Sequence, residues 1–201
     1  VLQRNKLLKE LYLHPDYREV LDVLDMQLVQ YGSALIQRRQ TFAEELGEIV
    51  YRIHSQLSGG QEEMELKYEP NVTVDAFAQM LFANRERDMR LKTTATGPHR
   101  DDISFVVNGV DIRKFGSQGQ QRTAALSLKL SEIELVKRLI GDTPVLLLDD
   151  VLSELDSGRQ NYLLNSIENI QTLITCTGLD EFVNHRFSIN RIYKVTDGSV
   201  T

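Results

Sequence analysis

Between Asp16 and Leu57 the chain contains no proline, and apolar side chains recur at positions 21, 24, 28, 31 and 35 and again at 42, 46, 49, 53 and 57. Steps alternating between three and four residues place side chains on one stripe of an α-helix. Such a stripe commits the segment to helix and demands something to cover it. Arg38 interrupts the stripe, and Gly32 and Gly47 weaken it, so the pattern predicts two helices or one bent one. A shorter helix over residues 2 to 12 precedes it and ends before His14-Pro15, because the residue before a proline is driven out of the helical region. The a/d-like spacing predicts an arm or bundle packed against another helix.

Beyond Leu57 the texture changes. Ser58-Gly59-Gly60 reads as a turn, and Met64 to Tyr68 alternates with period two, the mark of a strand. Asn71 to Asp75 reads as loop, with Thr73 or Asp75 capping a helix over Ala76 to Leu91. Ile103 to Val107 and Val110 to Ile112 flank Asn108-Gly109, a hairpin signal. There follow a helix from about Gln120 to Ile140, an apolar strand Val145 to Asp149, a helix from about Ser157 to Ile167, a strand Thr172 to Thr177 and a closing strand Arg191 to Val195. Strands alternating with helices predict an α/β fold whose sheet is mostly parallel and buried on both faces. The chain divides into a helical arm with a small strand element over residues 1–92 and an α/β portion over residues 93–201.

The 201 residues, 41% of them hydrophobic and 26% charged, suffice for one substantial core or two modest ones. The longest apolar runs, such as Val145 to Leu148, fall far short of the ~20 residues of a membrane span, and no charged-then-apolar leader opens the chain. A cytoplasmic location is the expectation, and the single cysteine, Cys176, fits a reducing compartment. The net charge of −6 does not segregate: residues 1–92 carry 12 basic and 15 acidic side chains, residues 93–201 carry 11 and 14. Neither half is a basic nucleic-acid module. Any contact with DNA would use a local patch, either Arg38-Arg39 or the run Arg85, Arg87, Arg90, Lys92, which also reads as a solvated helix face balanced by Glu86 and Asp88. The chain starts at Val1, not Met, and enters a helical pattern at once, so it is expected to be a piece of something longer.

Chemistry concentrates in the second half. Pro144 to Asp150 is an apolar strand ending in two carboxylates, and in parallel α/β sheets ligands sit at the C-terminal ends of strands. One carboxylate there can hold a nucleotide's Mg²⁺ and the next can orient or deprotonate a water; a buried strand that merely ends in Asp-Asp at a turn has the same letters. Ser153-Glu154-Leu155-Asp156 follows, and upstream Phe115 to Arg122 opens a long amphipathic helix. A serine followed by glycine at a helix start offers a hydroxyl, free N–H groups and the positive end of the helix dipole, all favourable to phosphate.

Leu57 to Gln61 spells LSGGQ, the letters of an ABC-type signature loop. Yet Ser58 leads into a strand, so no helix N-terminus stands ready to meet a phosphate. The working signature is Gly116-Ser117-Gln118-Gly119-Gln120, placed 32 residues before Asp149 with one helix between them, counting from Ser117.

The segments GPHRDD (97 to 102), FGSQGQQRTAALSLKLSE (115 to 132) and LLLDDVLSELD (146 to 156) resemble the RecF family of bacterial recombination mediators, relatives of SMC-type ATPase heads, and residues 21 to 39 resemble its helical arm. The resemblance implies part of an ABC/SMC-like P-loop ATPase head. Asp149 would be the Walker B carboxylate acting on Mg²⁺, and Asp150 would stand where most ABC ATPases have a catalytic glutamate. Ser117, Gly119 and Gln120 would meet the γ-phosphate of ATP held by a second subunit, with Ser153 and Asp156 at the same interface; Arg122 would reach either phosphate or its own loop. The implied cofactors are ATP and Mg²⁺. The implied partners are a second copy of the protein, gapped or junction DNA, and RecR, with RecO and RecA in the pathway; the implied work is recombinational repair and the SOS response. Two departures matter. No G-x-x-x-x-G-K-[ST] occurs in the sequence, so the chain alone is expected to be inactive as an ATPase, and it reads alternatively as a non-catalytic interaction module. Where ABC transporters place a switch histidine, Thr177 stands here. Cys176 and His99 read as a core side chain and a turn brace.

Overall fold

The computed structural model describes residues 1–11, 14–176 and 191–200. Helix α1, Leu2–Glu10, is followed by α2, a continuous helix from Arg18 to Leu57. Its 40 residues span about 60 Å, and neither Arg38 nor the glycines divide it. Strand β1 (Met64–Glu69) leads to α3 (Val74–Ala83) and α4 (Arg85–Leu91), which break at Asn84 where one helix was expected. Strands β2 (Asp102–Val107) and β3 (Val110–Asp111) turn on Asn108-Gly109 with Val107 opposite Val110. Then come α5 (Ile112–Phe115), α6 (Gln118–Ile140), β4 (Leu146–Asp149), α7 (Ser157–Ser166) and β5 (Thr172–Thr175). A short hairpin of β6 (Val195–Thr196) and β7 (Ser199–Val200) replaces the strand expected over residues 191 to 195.

Two sheets face the core. In the first, β1 pairs antiparallel with β2, and β2 with β3. In the second, β4 and β5 run parallel, Leu147 opposite Leu173 and Asp149 opposite Thr175. The expected two-sided burial of this second sheet does not occur among the described residues. Leu148 is buried and Leu146 and Ile174 pack on the core, but Leu147 is 71% exposed and Leu173 56%. Period-two geometry puts these residues on opposite faces, and only one face is covered.

The main core lies where α2, α6 and α7 meet the sheets: Leu46, Ile49, Val50 and Ile53 of α2 join Met64, Val107, Ala124, Leu130, Leu148 and Leu163. It crosses the boundary drawn at residue 92, because the C-terminal half of α2 and β1 belong to the same packed body as β2, α6 and β4. A second cluster of Ile36, Val72, Phe77 and Leu81 lies along the middle of α2, and a third joins Leu7, Leu8 and Leu11 to Leu21. Each fully buried aliphatic side chain contributes about 1.5–3 kcal/mol relative to exposure.

Leu21 and, toward the C-terminus, Leu46, Ile49, Ile53 and Leu57 of the apolar stripe are buried as expected, but in the middle of α2 the buried face is rotated away from the stripe. There Gly32, Ile36 and Ala43 face inward, while Tyr31, Leu35 and Phe42 are exposed, Tyr31 by 70%. Close approach explains the rotation. A Cβ on Gly32 would lie 2.5 Å from the buried ring of Phe77, so that ring seats directly on the helix backbone, and only a small residue can face it.

Polar groups fasten the N-terminal end. Arg4, 1% exposed, donates through Nε to Asp25 (2.5 Å) and through Nη1 to Asp88 (2.7 Å) and the Thr94 hydroxyl (2.9 Å). Asp88 also accepts from the Ala95 N–H at 3.0 Å, and Arg85 pairs with Asp22 and Asp25. One guanidinium thus joins α1, α2 and α4 to the loop after α4. Removing one member of a buried ion network leaves the others uncompensated. Arg4→Met is expected to lower unfolding stability by about 3–5 kcal/mol, read from the shift of the denaturant midpoint.

Candidate functional site

The signature candidate is a helix start with every cap in place. Ser117, extended at φ −63 and ψ 158, is the N-cap of α6, and its Oγ accepts from the Gln120 N–H at 3.2 Å. Gln120 Oε1 accepts in return from the Ser117 N–H at 3.1 Å, a reciprocal capping box. The hydroxyl proton of Ser117 is not consumed by that bond, and the first N–H groups of any helix have no intrahelical acceptor. Ser117, Gln118 and Gly119 are exposed, so these donors face outward at the positive end of a 23-residue helix. Gly116 precedes them because a Cβ there would lie 2.6 Å from the Ile112 carbonyl oxygen. Arg122 is exposed and engaged within the protein.

The carboxylates sit at the other end of the α6–β4 unit. Asp149, exposed, closes β4, and Thr175 of β5 donates its hydroxyl to Asp149 Oδ1 at 2.5 Å. The Asp150 N–H donates to both Thr175 Oγ1 (3.1 Å) and Thr175 O (3.2 Å). Asp150 has φ 51, a left-handed conformation that Asp tolerates at a cost of order 1–3 kcal/mol. Ser153 donates to the Asp150 carbonyl at 2.9 Å and shapes the turn. Asp156 caps α7, accepting from the Arg159 N–H (3.0 Å) and guanidinium (2.9 Å). The backbone hydrogen bond from Arg159, more than its charge, holds the Asp156 carboxyl below its ordinary value.

Among the described residues no group of three or more His, Cys, Asp or Glu side chains is placed to hold a metal ion. Mg²⁺ does not need one: it binds through one or two carboxylates, keeps several waters and takes phosphate oxygens. An exposed Asp149 at a strand end fits that demand. No helix among the described residues is long and apolar enough to cross a membrane.

LSGGQ has a different place. Leu57 ends α2, Ser58 is its C-cap, and Gly59 and Gly60 turn the chain toward β1. The Ser58 hydroxyl accepts from the Glu62 N–H at 3.2 Å and donates to the Ser55 carbonyl at 3.1 Å. Glu62 was invisible to motif reasoning. Its Oε1 accepts from Gln120 Nε2 at 2.9 Å, and its Oε2 lies 3.2 Å from Nε2 of His54, a fully buried histidine whose Nδ1 lies 2.9 Å from Ser127 Oγ. No spacing rule relates residues 54, 62 and 120; the only signal was a histidine on the inner face of a helix.

The other candidates are accounted for locally. His99 Nε2 lies 2.9 Å from the Thr94 carbonyl, bracing its turn. Asp101 of the GPHRDD segment receives Arg39 (3.0 Å), the Asn71 N–H (2.9 Å) and the hydroxyl of Tyr68, which burial and then this carboxylate push up to about 12. Of the two basic patches, Arg39 is held by Pro98 O and Asp101, and Arg85 by Asp22 and Asp25 and over the Phe82 ring; Arg38 is exposed. Cys176 packs at the edge of the main core. Thr177 lies outside the described residues.

This fold defines part of an ABC-type ATPase head joined to a helical arm. Over 200 residues the chain is 58% identical to the DNA replication and repair protein RecF of Lachnospira eligens, covering 98% of this chain and 55% of that relative, and 58% identical to RecF of Agathobacter rectalis, covering 100% and 55%. The chain belongs to the RecF family of DNA replication and repair proteins. Solved structures of the recombination mediator protein RecF in the RecFOR pathway, one with ATP and one with ATPrS, superpose with TM-scores of 0.85 and 0.84 at 34% identity, over 100% of this chain and 55% of those. The chain therefore spans about half the length of the relatives it matches. No model of a protein family matches it.

Burial pushes the His54 imidazole below its ordinary value, against the opposing pull of Glu62 and with Arg159 adding to the lowering. A histidine that holds its proton less tightly when folded stabilises fully above the unfolded value of about 6.5, and that stability is lost as the pH falls through the lower folded value. Between about pH 7.5 and pH 5.5 the denaturation midpoint is expected to drop, and His54→Gln is expected to flatten this stretch of the curve.

Proposed function

We propose that these residues form the signature-bearing part of a RecF-type ATPase in which ATP, held by the Walker A loop of one subunit, is sandwiched against the signature of a second. The observation that carries this reading is the exposed capping box at Ser117, aimed outward from a helix whose next strand ends in Asp149-Asp150. Ser117, through its hydroxyl, and Gly119, through its N–H, meet the γ-phosphate; Gln120 fixes the loop, and Arg122 stands one turn further along. Asp149 holds Mg²⁺, which when bound neutralises phosphate charge. Asp150 orients the attacking water, and being shorter than glutamate it acts across a wider gap, consistent with slow, switch-like hydrolysis. Ser153 and Asp156 lie at the subunit interface, where Ser153 holds the Asp150 turn and Asp156 the start of α7.

Bound ATP then joins two copies on gapped or junction DNA, and hydrolysis releases them. With RecR and RecO the protein supports loading of RecA in recombinational repair and SOS induction, in the cytoplasm. The N-terminal part of residues 1–92 acts as the arm, and the end of α2 with β1 packs into the part of the head formed by residues 93–201. Support for action within a longer polypeptide comes from the 55% span of the relatives and from the uncovered face of β4 and β5, whose Leu147 and Leu173 match the inner face of a larger sheet. The absence of G-x-x-x-x-G-K-[ST] from these residues favours the second reading for this stretch by itself, an interaction module without ATP affinity.

In the full-length protein, Ser117→Arg is expected to abolish ATP-driven dimerisation in analytical ultracentrifugation while leaving the nucleotide-free monomer unchanged. Asp150→Asn is expected to lengthen the lifetime of the ATP-bound dimer and to lower phosphate release about a hundredfold or more, the scale expected when a group acting in proton transfer is removed. Wild-type hydrolysis and dimer lifetime in Asp150→Asn would refute the assignment.

A further inference from the structure

The two ends of the Gln120 amide are both occupied, and by different parts of the chain. Oε1 accepts from the Ser117 N–H and Nε2 donates to Glu62 Oε1. Only this orientation of the amide works: reversed, its NH₂ would face the Ser117 N–H and its carbonyl a carboxylate. Glu62 is itself held on three sides, by Gln120, by Ser58 Oγ at its main-chain N–H, and by the buried His54 ring. His54 reaches α6 a second time through Ser127, which lies two turns beyond Gln120 on the same face of that helix. The end of α2 is therefore stapled to the first three turns of α6 at Gln120 and at Ser127. The LSGGQ turn provides the short loop that carries Glu62 to this position.

We propose that Glu62 is a positioning residue for the signature: from the end of α2 it holds Gln120, so that the Ser117 hydroxyl and the first N–H groups of α6 keep the geometry they present to phosphate. The proposal rests on the reading of Ser117 to Gln120 as the signature. The bond is between a carboxylate and an amide N–H, stronger than a neutral pair, and it is only part-buried, so it holds the loop without being needed to form the core.

A double-mutant cycle in the full-length protein tests this, with the ATP-driven dimer dissociation constant measured by analytical ultracentrifugation. Glu62→Ala is expected to weaken the ATP-driven dimer about tenfold and Gln120→Ala, which also loses the bond from the Ser117 N–H, at least as much; the double variant is expected to be no weaker than Gln120→Ala alone, because that loss already includes the Glu62 contact. Glu62→Gln, whose side-chain carbonyl still accepts from Gln120, is expected to recover most of the loss, and ADP affinity of the monomer is expected to stay at the wild-type value. Independent, multiplying effects, about a hundredfold in the double variant, would overturn the proposal. So would an unchanged dimer in Glu62→Ala, or a loss that follows a fall in thermal midpoint and is not rescued by Glu62→Gln. Ser117→Arg separates the two levels: if it leaves dimerisation intact, the signature reading itself fails, whereas its loss beside an unaffected Glu62→Ala removes only the coupling.

Discussion

The packing of one face of α2 governs the rest of the molecule. At its N-terminal end this helix carries Asp25, which with Asp88 encloses Arg4; at its middle it offers Gly32 and Ile36 to Phe77; toward its C-terminus Leu46, Ile49, Val50 and Ile53 enter the main core with α6 and the sheets. Two of the three clusters have only four buried hydrophobic residues each, and α2 joins them to the main core through a single run of intrahelical hydrogen bonds. The helix is continuous over 40 residues, about 60 Å, so all three clusters are held on one element.

The helices, strands and turns were largely legible because their causes are local. A capping box needs four consecutive residues, a two-residue hairpin needs Asn-Gly between two apolar runs, and a strand ending in carboxylates needs only Val145 to Asp150. The misreadings share a cause of the opposite kind. In the middle of α2 the apolar stripe runs through Tyr31, Leu35 and Phe42, but burial there went to the face with Gly32, Ile36 and Ala43. Hydrophobicity ranks side chains by their own transfer energy. Which face is buried depends also on how closely the neighbour can approach, and Phe77 sets that distance. The split between α3 and α4 has a similar origin: Asn84 donates its side-chain amide to the Met80 carbonyl and to Thr96 Oγ1, contacts that reward a break no propensity scale signals.

The two serine-glycine segments make the same point about sites. LSGGQ and the Gly116 to Gln120 segment are near-synonyms as letters, and what separates them is which follows and which precedes a helix. A helix N-terminus offers donors to an anion, a C-terminus offers carbonyls. Ser58 stands at a C-terminus and serves as a clamp for Glu62; Ser117 stands at an N-terminus and keeps its hydroxyl proton available. Chain order sufficed to choose between them, but the hydrogen-bonded link from one to the other did not follow from order at all.

By itself, then, the sequence determined the α/β character, the helical nature of residues 18 to 57, the capped start of α6, the carboxylates at the end of β4 and the family, since each rests on residues adjacent in the chain or on matching letters along it. Only the tertiary structure decided that α2 is one continuous helix, which face of its middle is buried, that Arg4 finds Asp25 and Asp88, that one face of the β4–β5 pair is left open, and that Glu62 and His54 reach the start of α6. Those outcomes depend on distances between segments 20 to 90 residues apart, and such distances are set by the packing of whole elements, a sum of many weak contacts that no local pattern encodes.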